Sequence, residues 1–333
     1  MFEWFINAFR RQEDRKRVVL ITGASTGLGL ALVKELVPTG KFHVIATARR
    51  SSLRRFDEAK VFESDNLWLR QLDVLSKTER DAIIKEANEK LGGIDVLINN
   101  AGYCLRSVVE QVNETERLRQ IDTNFRAPMA LIRGVLPKMR KKRSGHIINL
   151  SSVGGMMAMP TMSIYSASKF ALEGATEALW YEVRPWKIKV CLIQPGFINS
   201  ESFKNVKLTR ESRKSIQDKN NPYYYHYTSM APFIAKMMKL SPSTPEKIAK
   251  KIHRIIECQN PPLRVPATVD AYFFGLLRKI LPRGIYHSLM YYSLPKVFKW
   301  GEEKHYFHDA EYERNEALAE FTNSNPKLGD TCY

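Results

Sequence analysis

Tyr165 and Lys169 stand four residues apart in Tyr165-Ser166-Ala167-Ser168-Lys169, and Ser152 lies thirteen residues before the tyrosine. On a helix, positions i and i+4 share one face, so the ammonium can lie beside the phenol. A free phenol titrates near about 10 and is a poor acid or base at neutral pH. A neighbouring cation favours the phenolate and draws that value toward the working range. The chemistry on offer is proton transfer to or from an oxygen. The same spacing recurs on solvated helix faces, so the pair alone decides nothing.

The elements that must position it follow from hydropathy. Short runs rich in branched residues cover 18–22, 42–48, 67–72, 94–99, 146–151 and 188–193. Amphipathic stretches separate them at 28–37, 77–91, 114–139 and 163–183. Strand and helix alternating at this interval predict an α/β fold, a doubly wound parallel sheet covered on both faces. Ligands of such sheets bind outside the carboxyl ends of the strands. The chemically notable residues of this chain fall at those ends or on the next helix. Leu263-Arg264-Val265 adds a seventh strand, after a helix at 245–257 opened by Ser243 or Thr244 as cap and Pro245.

Thr22-Gly23-Ala24-Ser25-Thr26-Gly27-Leu28-Gly29 joins the first strand to the first helix. Glycines there allow a tight turn and let backbone N–H groups approach a pyrophosphate resting on the positive helix N-terminus. Gly23, Ser25, Thr26, Gly27, Leu28 and Gly29 are therefore candidate dinucleotide contacts. The second strand ends Ala48-Arg49-Arg50, where selection of NAD(H) would want a carboxylate for the ribose hydroxyl. Arg49 suits a 2′-phosphate instead, which favours NADP(H) while leaving NAD(H) open. Arg50 has solvent as its alternative. Asp73, followed by Val74, is placed either to accept from the adenine amino group or to cap a helix. The small residues of Asn99-Asn100-Ala101-Gly102 let a ribose lie against the backbone.

Taken together, the glycine turn, Asn99-Asn100-Ala101-Gly102, Asn124, Ser152, Tyr165, Lys169 and Pro195-Gly196 resemble the short-chain dehydrogenase/reductase family in order and spacing. The resemblance covers about 17–265 and implies a Rossmann-type sheet of about seven strands. It implies a tetrad in which Tyr165 is general acid in carbonyl reduction and base in alcohol oxidation. Lys169 would lower the phenol's pKa and bind the nicotinamide ribose. Ser152 would hydrogen-bond the substrate oxygen as charge develops on it, and Asn124 would hold a relay water. Pro195-Gly196-Phe197-Ile198-Asn199-Ser200 matches the segment flanking the nicotinamide amide, with Ile198 as the contact. Ser200 replaces the family's usual threonine, and Thr26 stands where many NADP-using members have Lys or Arg, so phosphate selectivity rests on Arg49.

Val44 through Arg49, together with Pro262-Leu263-Arg264-Val265 and the apolar tail, look most like the 17β-hydroxysteroid and retinol dehydrogenase branch. That likeness implies a large apolar alcohol or ketone, such as a steroid, retinoid or other lipid. Met156, Met157, Met159, Met162 and Tyr223 to Tyr227 are either pocket lining or ordinary packing, and His226 is a candidate for a distal substrate group. Two other functions compete. A 3-oxoacyl thioester reductase needs no apolar extension, and a non-catalytic NADP(H)-sensing protein has no use for a complete tetrad.

Three zones follow: a basic amphipathic arm at 1–16, the catalytic domain at 17–265 with a polar lid insertion at 201–241, and an apolar helical extension at 266–333 ending in an acidic tail. In the arm Phe2, Phe5, Ile6 and Phe9 share a helical stripe beside Arg10 and Arg11. This is either an interfacial helix for an anionic membrane surface or a segment packed on the protein body. It is too short to span a bilayer, and no small-residue cleavage site follows it. Of 333 residues 44% are hydrophobic and 26% charged, an ordinary globular balance. The net charge of +17 is scattered, without aromatic-basic interleaving, which argues against nucleic acid. Lys138 to Arg143 reads as cations closing a helix. Cys104, Cys191, Cys258 and Cys332 lie far apart, against a metal site or disulfide scaffold and in keeping with the cytoplasm or the cytoplasmic face of a membrane. The helices at 114–139 and 163–183 are candidates for a homodimer interface.

Overall fold

The computed structural model describes residues 15–200 and 206–301; the arm up to residue 14, the acidic tail and Cys332 lie outside the described residues. Strands run β1 (Arg17–Ile21), β2 (Phe42–Ala48), β3 (Leu67–Gln71), β4 (Val96–Asn99), β5 (Leu105–Arg106), β6 (Gly145–Leu150), β7 (Ile188–Gln194), β8 (Lys207–Leu208) and β9 (Arg264–Pro266). Helices run α1 (Gly27–Leu36), α2 (Arg54–Glu58), α3 (Lys77–Lys90), α4 (Glu114–Ile121), α5 (Ala127–Lys142), α6 (Ser163–Val183), α7 (Arg210–Gln217), α8 (Tyr224–Leu240), α9 (Pro245–Glu257), α10 (Val269–Ile280) and α11 (Arg283–Tyr292).

Seven strands form one parallel sheet in the order β3-β2-β1-β4-β6-β7-β9. The chain winds outward from β1 to β3, then crosses to β4 on the other side of β1. Ile21, the last residue of β1, pairs with both Ala46 and Ile98, so β2 and β4 run on past the end of β1 and open a crevice at the switch point. Branched residues make this possible. All seven positions of β2 and all six of β6 are buried, as a sheet covered on both faces requires.

Alternation sends successive side chains to opposite layers. Val19 and Ile21 join Leu32, Val33, Ile248 and Ile252 beneath α1 and α9. Val18 and Leu20 join Ile83, Leu131, Met139 and Leu179 beneath α3, α5 and α6. Each fully buried Leu, Ile or Val contributes about 1.5–3 kcal/mol. Thr244, with Pro245 after it, caps α9 through the Lys247 N–H. Arg140 to Lys142 close α5, and Arg143 takes the left-handed conformation before β6.

Two features depart from the sequence reading. The stretch 114–139 is not one helix: a π-helical turn at Asp122–Arg126 separates α4 from α5. A second, two-stranded parallel sheet pairs β5 with β8, and α7 and α8 follow it in the polar segment. Beyond β9, α10 and α11 pack on the loop after β6 through Val153, Met157, Phe274 and Tyr286. No described helix is long and apolar enough to cross a membrane.

His146 in β6 is fully buried, its Nε2 3.4 Å from Cys191 Sγ. Burial, with Lys189 and Arg17 adding repulsion, lowers its pKa to about 3. An unfolded chain binds a proton at this histidine below about 6.5, whereas the native one does not until about 3. Stability therefore falls as pH drops through that window. Urea titrations should show His146→Leu removing about 2 kcal/mol of the stability difference between pH 7 and pH 5. An unchanged difference would exclude a neutral buried imidazole.

Candidate active site

The turn after β1 is shaped by close approach. Gly23 has φ +65°, and a Cβ on it would stand 2.9 Å from the Ala101 Cα. Any larger residue would push the β1 and β4 ends apart. The Asn100 side chain locks the two together, donating to the carbonyls of Thr22 (2.9 Å) and Gly23 (3.0 Å). The Thr22 hydroxyl in turn accepts from the N–H groups of Asn100 and Ala101, both at 3.0 Å. Thr26 precedes α1 without capping it through its side chain. The first-turn N–H groups consequently keep no side-chain acceptor. Gly27, at φ +54°, faces open space, and Ser25 is buried while Thr26 is exposed and Leu28 half-buried. A cradle of unspent donors on a positive helix end fits a pyrophosphate.

At the end of β2, Ala48 is buried and Arg49 exposed beside the crevice, with no carboxylate at either position. Asp73 turns one carboxylate oxygen back to the Leu75 N–H (3.0 Å), forming a local turn, while Ser76 caps α3. Val74 is buried, its carbonyl accepting from Arg80. In the loop after β7, the Gly196 N–H donates to the Thr268 hydroxyl (2.8 Å) and the Phe197 N–H to Asp270 (2.9 Å). The Asn199 N–H donates to the Ser243 carbonyl (2.8 Å). Among the described residues no acceptor faces the N–H between them, at Ile198. An unspent donor at this strand end fits a carboxamide oxygen.

The four residues Asn124, Ser152, Tyr165 and Lys169 converge. Ser152 follows β6, Tyr165 and Lys169 lie on α6, and Asn124 sits in the π turn. The Tyr165 ring and the Ser152 hydroxyl flank Gly154, where a Cβ would stand 3.0 Å from the ring and 3.5 Å from the hydroxyl oxygen. The Ser152 hydroxyl also accepts from the Gly154 N–H at 3.0 Å. The Lys169 ammonium donates to the Leu150 carbonyl at 2.7 Å and lies 5.9 Å from the Tyr165 ring centre. Asn124 is almost fully buried. It donates to the Tyr103 carbonyl (3.0 Å) and the Ser168 hydroxyl (3.1 Å) and accepts from the Tyr103 N–H (3.1 Å). The Ser168 hydroxyl passes on to the Tyr165 carbonyl (2.6 Å).

Burial governs the electrostatics. It pushes the Tyr165 phenol up, the Cys104 thiol adds to the rise, and the nearby Ser152 hydroxyl pulls the other way. Burial likewise lowers Lys169 to about 8, opposed by Cys104 and Glu173. The lowered phenol that the spacing implies is thus not what the protein's own groups produce. They hold a proton on Tyr165 and loosen the one on Lys169.

The comparisons with known proteins agree with this geometry. The short chain dehydrogenase family model matches residues 17–211. The chain belongs to that family. It is 34% identical over 248 residues to a 3-ketodihydrosphingosine reductase of Bacteroides thetaiotaomicron, covering 74% of this chain and 86% of that protein. It is 32% identical to retinol dehydrogenase 8 of Homo sapiens, over 74% of this chain and 80% of the other. A closed form of serine dehydrogenase complexed with NADP+ superposes with TM-score 0.62 at 25% identity, over 75% of this chain and 93% of that one. The chain is accordingly a short-chain dehydrogenase-type oxidoreductase.

Several residues escaped the sequence reading. Glu173, one turn beyond Lys169, is a buried carboxylate accepting from Ser151 (2.7 Å), Gln194 (2.7 Å) and Arg264 (3.2 Å). It ties the ends of β6, β7 and β9 to α6. Thr268 and Asp270 hold the loop at 195–197. Tyr227 is buried, its hydroxyl bonded to Gln111 (2.8 Å), Ser212 (2.9 Å) and the Val108 N–H (2.9 Å). His226 stacks on Trp300 at 4.3 Å. Both are candidates on sequence alone, and the partners observed for them are packing contacts. A periodic pattern marks a residue's face, not its long-range partners. Glu173→Leu strands two buried donors, Ser151 and Gln194, and should cost about 2–4 kcal/mol in urea titrations. A loss below about 0.5 kcal/mol would show that the carboxylate ties nothing together.

Proposed function

We propose that this protein is an NADP(H)-dependent oxidoreductase that interconverts an alcohol and a carbonyl on a large apolar substrate such as a steroid, retinoid or other lipid. The observation that carries the reading is the convergence of Tyr165, Ser152 and a buried Lys169 at the strand ends. NADP(H) fits the residues present: the turn Gly23, Ser25, Thr26, Gly27, Leu28 and Gly29 for the pyrophosphate, Arg49 for the 2′-phosphate, Asp73 and Val74 toward the adenine, Asn100 behind the ribose and Ile198 for the carboxamide. When bound, this cofactor supplies or accepts the hydride.

The chain's own groups handle the proton. Tyr165 keeps its proton at neutral pH because burial opposes the phenolate, which suits the acid of a carbonyl reduction. Ser152, fixed by the Gly154 N–H, offers its hydroxyl to the same substrate oxygen as negative charge gathers there. Lys169 steadies the phenolate left behind, and its own pKa of about 8 lets it pass a proton onward. Asn124 spends both ends of its amide on Tyr103 and Ser168 and so holds the α6 start and the loop after β4 at fixed separation. In oxidation the same groups work in reverse.

The apolar substrate is supported by the apolar side chains packed beside the site. Val153, Met156 and Met157 follow the Ser152 strand end and meet Phe274, Leu277 and Met290 of the extension. Met159 and Phe274 continue into a cluster with Phe197 and Met230. The relatives' names speak of retinol and 3-ketodihydrosphingosine, an alcohol and a ketone that carry long hydrocarbon chains.

Tyr165→Phe should cut turnover of a steroid or retinoid carbonyl by about 10²–10⁴-fold while leaving NADPH binding intact. Unchanged turnover would end Tyr165's claim to the proton. Arg49→Asp should shift the NADPH/NADH ratio of kcat/KM toward NADH by roughly tenfold or more. An unaltered ratio would remove the phosphate contact.

A further inference from the structure

Helices α10 and α11 are apolar on two opposite faces. The inner face of α10 carries Ala271, Phe274 and Leu277, and that of α11 carries Tyr286 and Met290, all turned toward the loop after β6. Their outer faces are just as apolar. On α10, Val269, Tyr272, Phe273, Leu276 and Ile280 follow helical spacing and are 69%, 64%, 54%, 43% and 66% exposed. On α11, Ile285, Leu289 and Tyr292 repeat every three to four residues and are likewise exposed, and Phe298 beyond them is 80% exposed. A helix apolar all round normally sits in a core or a membrane, and a contiguous exposed patch of this kind marks a docking surface.

Charge indicates the occupant. Lys279, Arg283 and Lys296 are exposed among these side chains, and none has an ion pair among the described residues; Arg278 and Lys299 are exposed too but lie over the rings of Phe170 and Tyr225. Residues 269–301 contain a single carboxylate, Asp270, which faces inward to the Phe197 N–H. A second copy docking by the same face would set these cations against their own copies, with no outward carboxylate between 269 and 301 to answer them. A surface of lipid phosphates answers them directly, and tyrosine rings between apolar residues and cations suit the interfacial zone.

We propose that the outer face of α10 and α11 docks on an anionic lipid bilayer, laying the roof of the substrate end against the acyl layer. The proposal deepens the lipid reading of the substrate, since the same two helices line the substrate end on their inner side. Its test does not require that reading, because vesicle binding is measured without turnover.

The full-length protein would be sedimented with phosphatidylcholine vesicles with and without phosphatidylserine. Pelleting should require phosphatidylserine and weaken with salt. It should fall roughly tenfold or more in the triple variant Tyr272→Ser, Phe273→Ser, Phe298→Ser, with NADPH binding and turnover of a water-soluble carbonyl unchanged. Protein that stays in the supernatant with both vesicle types would overturn the proposal. So would equal pelleting of wild type and variant, which would give binding to another part of the chain. A variant that leaves vesicle binding intact but dissolves a dimer would assign the face to a second copy. One that instead melts at a clearly lower temperature would assign it to this chain's own segments outside the described residues, and both results count against the bilayer.

Discussion

A buried ammonium needs an acceptor, and the bond from Lys169 to the Leu150 carbonyl, 2.7 Å long, meets that need at the last residue of β6. The bond fixes α6 in rotation and height over the end of the sheet. Tyr165, one turn earlier on the same face, is thereby set beside Ser152, which leaves β6 two residues after Leu150. The desolvation that lowers Lys169 also makes loss of this bond expensive. Structure and chemistry draw on one interaction: the helix cannot slide without leaving a buried charge unpaired.

Around that bond the site is over-determined. Below it a buried polar chain runs from Asn99 through Asn149 to Thr176, at 2.8 and 2.9 Å, joining β4 and β6 to α6. Glu173 adds a second tie from α6 to the far strands. On the other flank the π turn widens the helix backbone at Asn124 and turns its amide inward, where Tyr103 and Ser168 use both ends. An ordinary helix through this point would rotate that amide away by part of a turn. π turns of this type recur at functional sites for the same reason. Close packing matters too, since a Cβ on Gly154 would come within 3.0 Å of the Tyr165 ring.

Much of this was legible from one-dimensional pattern. Branched runs such as 42–48 and 146–151 had to be central strands because nothing else buries every residue of a short segment. The glycine turn had to follow β1 because Gly23 and Gly27 adopt positive φ there. Tyr165 and Lys169 shared a face by helical geometry alone. What escaped was whatever depends on partners distant in sequence. Glu173 looks like one more helix carboxylate until Gln194 and Arg264 arrive from other strands. Asp270 lies in an apolar extension with no sign that its target is the Phe197 N–H. The pairing of Leu105–Arg106 with Lys207–Leu208 is too short to leave a periodic trace. The Tyr165 phenol departs for a different reason: spacing shows the nearby cation, but only the packed structure shows how much desolvation opposes it.

The extension touches both the loop at 195–197 and the segment that follows Ser152. Thr268 and Asp270, at the start of α10, hold the N–H groups of Gly196 and Phe197, and a Cβ on Gly196 would collide with the Asp270 carboxylate. The loop carrying Ile198 is thus set by the same helix whose later turns cover Met156 and Met157. Movement of α10 would change the substrate roof and the donor at Ile198 together. A displacement of α10 would therefore reach the Gly196–Phe197 backbone and the Met156–Met157 segment together.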